Sequence, residues 1–170
     1  MTDLIINKLD QNREIFLKLL SELSEDEYRF RIAPDKWNLL EIVCHLYDEE
    51  QYDFRARVKS VLEDPSKEPE PIHPSAWVTE RKYNEQDYDG MLTKFLNERS
   101  ASIDWLKSLV NPGWENIYIH PAHGSLTPVF YLTNWLAHDY LHFRQIIAVK
   151  FKYLEAKSGF DLSYAGEISF

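Results

Sequence analysis

Apolar residues recur every three to four positions along four segments of the chain, which is the spacing of an amphipathic helix. The four segments are residues 3–23, 39–63, 85–110 and 127–150. Each is about 20 residues long. Four helices of this length predict an all-α fold, and specifically a four-helix bundle.

The connection between the second and third predicted helices is long, at about 20 residues. It contains Pro65, Pro69, Pro71 and Pro74. Because proline lacks a backbone N–H and fixes φ, this long loop is predicted to be extended and to contain no helix. Loops of this length are often functional. The segment before the fourth helix, residues 114–126, is predicted to be irregular or weakly extended.

The chain is predicted to form a single domain over residues 1–170. The bundle would occupy residues 1–150, and residues 151–170 would form a C-terminal tail. This tail is too aromatic to be predicted as plainly disordered. Its aromatic residues are Tyr153, Phe160, Tyr164 and Phe170.

The charge balance narrows the classes of partner. The 170 residues include 28 acidic and 19 basic ones, giving a formal net charge of −9. Such a surface repels nucleic acid and anionic lipid, and no segment is apolar enough to span a membrane. The one cysteine cannot form an internal disulfide and fits a reducing compartment. We therefore expect a cytoplasmic protein that binds a small-molecule substrate, and neither nucleic acid nor membranes.

Two histidines lie one helical turn apart on the fourth predicted helix. His138 and His142 are four positions apart, so they share a face with Tyr131 and Trp135. Zinc, nickel and similar ions bind imidazole pairs at this spacing. The alternative interpretation is a pair of core histidines that hydrogen-bond to neighbouring groups.

A third ligand would come from another helix, and His45 on the second predicted helix is the best candidate. It shares a face with Ile42 and Glu49, but this face is not the main aliphatic one, so the spacing alone does not place His45 in the core. Glu49 lies one turn further on. It would be a fourth ligand, a hydrogen-bond partner of a ligand, or a surface acid.

The other histidines and the cysteine are given different roles. His120 and His123 lie in the loop before the fourth helix, where they could line the mouth of a site, and His73 is predicted to lie on the surface. Cys44 points about 100° away from His45 on the helical wheel. It is predicted to be a small core residue.

Two short motifs resemble those of the DinB/YfiT-like superfamily, whose members are regarded as metalloenzymes. The first is Lys36-Trp37-Asn38 followed by Glu41 and His45-Leu46, similar to the family's tryptophan-serine, glutamate and histidine-leucine. The second is Gly124-Ser-Leu-Thr127 followed by His138-Asp-Tyr-Leu-His142-Phe-Arg-Gln145-Ile146, similar to the family's threonine and histidine-x-x-x-histidine-x-x-glutamine-isoleucine helix. Their order and separation also match. The departure is Asn38 where serine or threonine is more typical, and asparagine caps a helix equally well.

This resemblance implies a metal ion held by three histidines, which in this sequence are His45, His138 and His142. Members of the superfamily include thiol-dependent transferases and isomerases that use bacillithiol, mycothiol or glutathione. The chain is therefore expected to bind a divalent metal, zinc or nickel, and a low-molecular-weight thiol. It would act as a metal-dependent enzyme such as an S-transferase for small electrophiles. With its single cysteine assigned to the core, the thiol would come from a cofactor.

Other functions stay open. One alternative is a non-catalytic, dimeric metal-binding protein with a stress or interaction role. Another is a zinc hydrolase: His138-Asp139-x-x-His142 resembles the His-Glu-x-x-His motif, although aspartate is shorter and no third-ligand motif follows. The fourth helix carries a second apolar stripe, which predicts a homodimer. The stripe consists of Val129, Leu132, Leu136, Tyr140, Phe143 and Ile147. No residue is identified as a general base or as another catalytic group.

Overall fold

The computed structural model describes residues 1–166 and 168. These residues form seven α-helices and one β-hairpin, which lies between the sixth and seventh helices. The helices are α1 (Thr2–Leu20), α2 (Glu25–Tyr28), α3 (Leu39–Glu49), α4 (Arg55–Glu63), α5 (Pro74–Glu80), α6 (Tyr88–Ser108) and α7 (Pro128–Ser158). The hairpin pairs β1 (Tyr118–His120) with β2 (Gly124–Leu126) in antiparallel register. A π-helical turn, Glu50–Phe54, joins α3 to α4, and 3₁₀ turns occur at Tyr83–Glu85 and Ser163–Ala165.

Four long helical units form the bundle: α1, the continuous α3–π-turn–α4 unit, α6 and α7. Helix α1 packs against α6 and α7, and the α3–α4 unit packs against the same two helices. Consequently α1 and the α3–α4 unit occupy opposite corners, as do α6 and α7. The predicted all-α four-helix bundle is confirmed.

A buried polar layer divides the core of the bundle into two apolar clusters. One cluster lies around Phe16, Phe95 and Ile146. The other lies around Leu9, Ile103 and Trp135. Between them, at intermediate positions of the four units, lie four buried polar side chains. These are Asn12, Glu50, Arg99 and Asp139.

Local sequence signals explain where the two site-bearing helices begin and end. The Asn38 side chain accepts a hydrogen bond from the Glu41 backbone N–H, and the Glu41 carboxylate accepts one from the Asn38 N–H, so a complete capping box starts α3. Thr127 caps α7 through its side chain. Gly159, at φ +71°, ends α7 in the left-handed conformation that glycine adopts without strain.

Two expectations about element boundaries were wrong. The proline-rich connection does contain a helix, α5, because Pro74 occupies its first turn, where no N–H is needed. Trp77 anchors this helix in the core. Helix α7 continues to Ser158 rather than ending near Lys150, so the first part of the predicted tail is helical. Lys150 and Lys157 bind Glu27 and Asp26 and hold this extension against α2.

The remaining part of the tail lies on the surface, where Phe160 and Tyr164 are exposed. Phe170, the last aromatic residue of the predicted tail, lies outside the described residues. In the described part of the chain, no helix combines the length and apolarity that a membrane span requires.

Candidate metal centre

Three histidines from two helices of the bundle converge on one point. His45 projects from α3, and His138 and His142 project from α7. The Nε2 atom of His138 lies 3.4 Å from Nε2 of His45 and 3.0 Å from Nε2 of His142. One ring nitrogen from each of the three lies within 4.8 Å of the others. Two imidazole nitrogens bound to one tetrahedral zinc ion lie about 3.3 Å apart, since each Zn–N bond is about 2.0–2.1 Å. The three side chains can therefore hold one metal ion.

Burial keeps these imidazoles in the form that binds metal. Burial lowers the pKa of His45 to about 3 and that of His142 to about 4. For His138, burial and repulsion from His142, His45 and Arg99 lower the pKa to about 2. All three rings are consequently neutral near pH 7, and each has a lone pair available on one nitrogen.

Neighbouring side chains fix the orientation of two of the rings. Nδ1 of His142 lies 2.9 Å from Oε1 of Gln145. Because the amide oxygen can only accept, Nδ1 carries the proton, and the lone pair of His142 is on Nε2, which faces the other two histidines. The ring of Trp37 packs against that of His45, with 4.8 Å between their centroids. Both contacts pre-orient the rings before a ligand arrives.

Glu49 lies behind His45 rather than among the converging nitrogens. Its Oε1 atom is 3.9 Å from Nδ1 of His45, the nitrogen that points away from the centre. Among the described residues this Nδ1 atom has no hydrogen-bond partner. Glu49 is only 4% exposed, and burial together with Asp53 raises its pKa to about 9. The structure thus places Glu49 beside a candidate ligand and excludes a surface role.

A cavity of about 490 Å³ opens beside the histidine cluster. His138, His142 and Trp37 are among the residues that line it. Its volume lies within the range of small-molecule sites, roughly 300–1,000 Å³. The other lining residues are Ile32, Ala33, Lys36, Leu141, Arg144, Gln145, Ala148 and Val149.

A buried ion-pair network lies directly behind the cluster, and the sequence analysis missed it. Arg99 donates to both carboxylate oxygens of Glu50 at 2.9 Å and to both oxygens of Asp139 at 2.8 Å. Asp139 also accepts from Asn12, and Glu50 accepts from the indole of Trp135. The signal was present in the sequence: Arg99 lies on the inward stripe of α6, four positions after Phe95 and four before Ile103.

The remaining predicted residues lie elsewhere. Cys44 is fully buried, which agrees with its assignment to the core, and burial raises the pKa of its thiol to about 12. His73 is exposed at the start of α5. His120 and His123 lie in the hairpin and line a separate cavity of about 380 Å³, so they do not line the cavity beside the three histidines.

Comparisons with known proteins agree with this architecture. The solved structure of YfiT from Bacillus subtilis, described as a probable metal-dependent hydrolase with an unusual four-helix bundle topology, superposes with a TM-score of 0.76. The match covers 94% of this chain and 89% of YfiT, at 17% sequence identity, and therefore shows the shared fold. A search of curated protein sequences finds no significant match. The model of the DinB superfamily matches residues 8–146. The chain belongs to the DinB superfamily.

Proposed function

We propose that this protein is a divalent-metal-dependent enzyme in which His45, His138 and His142 hold zinc or nickel. The observation that carries the proposal is the convergence of three neutral imidazoles beside a cavity large enough for a small molecule: Nε2 of His138 lies 3.0 Å from Nε2 of His142 and 3.4 Å from Nε2 of His45, and His138 and His142 line the cavity. Three ligands and an adjoining cavity are typical of a catalytic zinc site, whereas structural sites are closed by four protein ligands.

The finer proposal is transfer of a low-molecular-weight thiol to a small electrophile. A divalent ion held by neutral ligands keeps its full charge and lowers the pKa of a bound thiol or water. In the overall reaction a C–S bond forms while the bond from carbon to its leaving group breaks. The leaving group departs with the electron pair, and the thiol proton passes to solvent.

Two features of this chain support an external thiol. The buried Cys44, whose pKa is raised to about 12 and whose Sγ faces the Tyr83 carbonyl oxygen, cannot be the nucleophile. The described lining of the 490 Å³ cavity contains no carboxylate. A water nucleophile commonly needs a general base at this position, whereas a thiol that has lost its proton does not.

Hydrolysis is the second candidate, because the structurally similar YfiT is described as a probable metal-dependent hydrolase. Both reactions can be assayed on the same zinc-loaded or nickel-loaded protein. A chromogenic aryl chloride with a panel of thiols reports S-transfer, and a nitrophenyl ester reports hydrolysis.

We expect thiol-dependent product formation that is lost in His142→Ala and retained in His120→Ala, a histidine variant outside the site. Ester hydrolysis without S-transfer would replace the transferase proposal by the hydrolase. Metal-dependent stability with neither activity would favour the non-catalytic alternative, a metal-binding stress or interaction protein.

A further inference from the structure

We infer that the cavity beside the histidine cluster selects an organic anion, with an apolar body against the cavity walls and a carboxylate at the rim formed by Lys36 and Arg144. This inference rests on the proposed function, because it assigns a substrate class to the same cavity. It depends on the charges and the shape of the lining.

The charge of the lining is opposite to that of the protein. The chain as a whole carries a net charge of −9. The described lining of the cavity nevertheless includes two basic side chains, Lys36 and Arg144, and no acidic one. A cavity of one sign on a protein of the other concentrates ligands of the complementary charge. Here that ligand is an anion.

Both basic groups are available to a ligand. Arg144 is exposed, and within residues 1–166 and 168 it forms no ion pair and no side-chain hydrogen bond. Lys36 faces Asp35 at 3.3 Å, but both side chains are more than half exposed, so this contact is worth little. The backbone at Lys36 is held in place, since its carbonyl oxygen accepts a hydrogen bond from Arg31.

The lining of the cavity leaves an apolar surface beside the histidines and the two basic groups. Along α7 the lining runs from His138 to Ala148 and Val149, a distance of about 15 Å at the helical rise of 1.5 Å per residue. Arg144 lies about 3 Å along the helix from His142 but about 160° away on the helical wheel, so the two side chains leave α7 in different directions. Apolar side chains form most of the remaining lining. These are Leu141, Ala148 and Val149 on α7, and Ile32, Ala33 and Trp37 opposite.

A pair of isosteric probes tests the inference: 4-phenylbutyrate, an anion, and 4-phenylbutyramide, which is neutral. Binding is measured by calorimetry on the metal-loaded wild-type protein and on His142→Ala. We expect the carboxylate to bind about tenfold more tightly than the amide, because charge-assisted hydrogen bonds are stronger than hydrogen bonds between neutral groups. This preference should decrease as ionic strength increases.

Charge-removal variants locate the anion. The double variant Lys36→Gln/Arg144→Gln should lose the preference for the carboxylate and keep its affinity for the amide. The control Lys18→Gln/Lys8→Gln, which removes two exposed charges from α1, should retain the preference. Equal binding of both probes to the wild-type protein would overturn the inference.

The same measurements separate this inference from the proposed function. A carboxylate preference that disappears in His142→Ala but survives in the Lys36/Arg144 double variant places the anion at the metal, which overturns the inference and leaves the metal site intact. A preference that depends on Lys36 and Arg144 in a protein that binds no metal supports the inference and refutes the proposed function.

Discussion

Replacement of Arg99 by methionine tests the buried polar layer that lies behind the histidine cluster. Methionine preserves the apolar part of the side chain and removes the guanidinium. The Arg99 side chain is 1% exposed, as is that of Glu50, and Asp139 is completely buried. The variant therefore leaves two carboxyl groups in the core without their cation.

The magnitude follows from the contacts that are lost. Three N–H groups of Arg99 donate to the two carboxylates at 2.8–2.9 Å, and the single Nε–H is shared between both oxygens of Glu50. A charge-assisted hydrogen bond is worth about 1.5–3 kcal/mol. The net loss is smaller than the sum of these hydrogen bonds, because a buried carboxylate without a partner escapes much of the penalty by taking up a proton. We expect the free energy of unfolding to fall by about 3–5 kcal/mol, as for other buried ion pairs that lose one partner. This is a large share of a typical stability of about 5–15 kcal/mol.

Urea unfolding at pH 7.5 measures this loss, with Arg55→Met as the matched control. Arg55 pairs with Glu98 between neighbouring helices, but both side chains are more than 20% exposed, so the control should lose about 1 kcal/mol or less. If Arg99→Met is too unstable to purify, Arg99→Lys keeps the charge and gives an intermediate loss. A loss of about 1 kcal/mol or less for Arg99→Met, equal to the control, would show that the buried ion-pair network stabilises the fold no more than an exposed pair does.

The pH dependence of the same variant gives a second readout. Burial already raises the pKa of Glu50 in the folded protein, and removal of the guanidinium raises it further. A carboxyl with a higher pKa in the folded state than in the unfolded state makes the folded state bind more protons. The deficit of Arg99→Met relative to wild type should therefore shrink as the pH falls from 8 to 5. A deficit that is constant over this range would contradict the assignment of buried charge.

Three other predictions concern different parts of the molecule. Because His45, His138 and His142 have lowered pKa values when folded and about 6.5 when unfolded, the stability of metal-free protein should fall as the pH drops from 6.5 towards 4. Each histidine should contribute up to about 1.4 kcal/mol per pH unit, and a urea series on His142→Ala should show a correspondingly smaller slope. The buried Cys44 should react with a thiol reagent only in denaturant. Labelling of the native protein would contradict the burial and the raised pKa of this thiol. Exposed Ile147, on the second apolar stripe of α7, is 47% accessible. We propose that the exposed part of this stripe, Tyr140 and Ile147, forms a homodimer interface. Light scattering should then give a dimer for wild type and a monomer for Ile147→Glu, and a monomeric wild type would contradict the proposal.

The fold was largely predictable because the bundle helices carry regular apolar spacing and strong start signals. The capping box at Asn38 is an interaction between residues three positions apart, so it can be recognised from the sequence alone. The end of α7 was predicted too early because the extension is held by Lys150 and Lys157 against α2, residues distant in sequence. Helix α5 was missed for a similar reason: its burial depends on Trp77 reaching the core, which proline content does not reveal.

The three candidate ligands could be named from the sequence, but their surroundings could not. The one-turn spacing of His138 and His142 is a local property of a helix. The position of His45 depends on how α3 meets α7, so the helical spacing made it the best candidate for a third ligand without placing it in the core, and the family resemblance then implied that role. Lys36 lies in an irregular segment and Arg144 lies on a helix about 100 residues later, and only the fold brings the two to one cavity. No periodic pattern in the sequence marks such a pairing.

The number of metal ions bound per chain is the most direct test of the proposed metal centre. Protein purified without a chelating tag, loaded with zinc or nickel and desalted, should retain about one ion per chain by mass spectrometry. His142→Ala and His45→Ala should lose that ion, and His120→Ala should keep it. Protein that retains no stoichiometric ion, or a His142→Ala variant that retains the full amount, would contradict the assignment of His45, His138 and His142 as one metal centre.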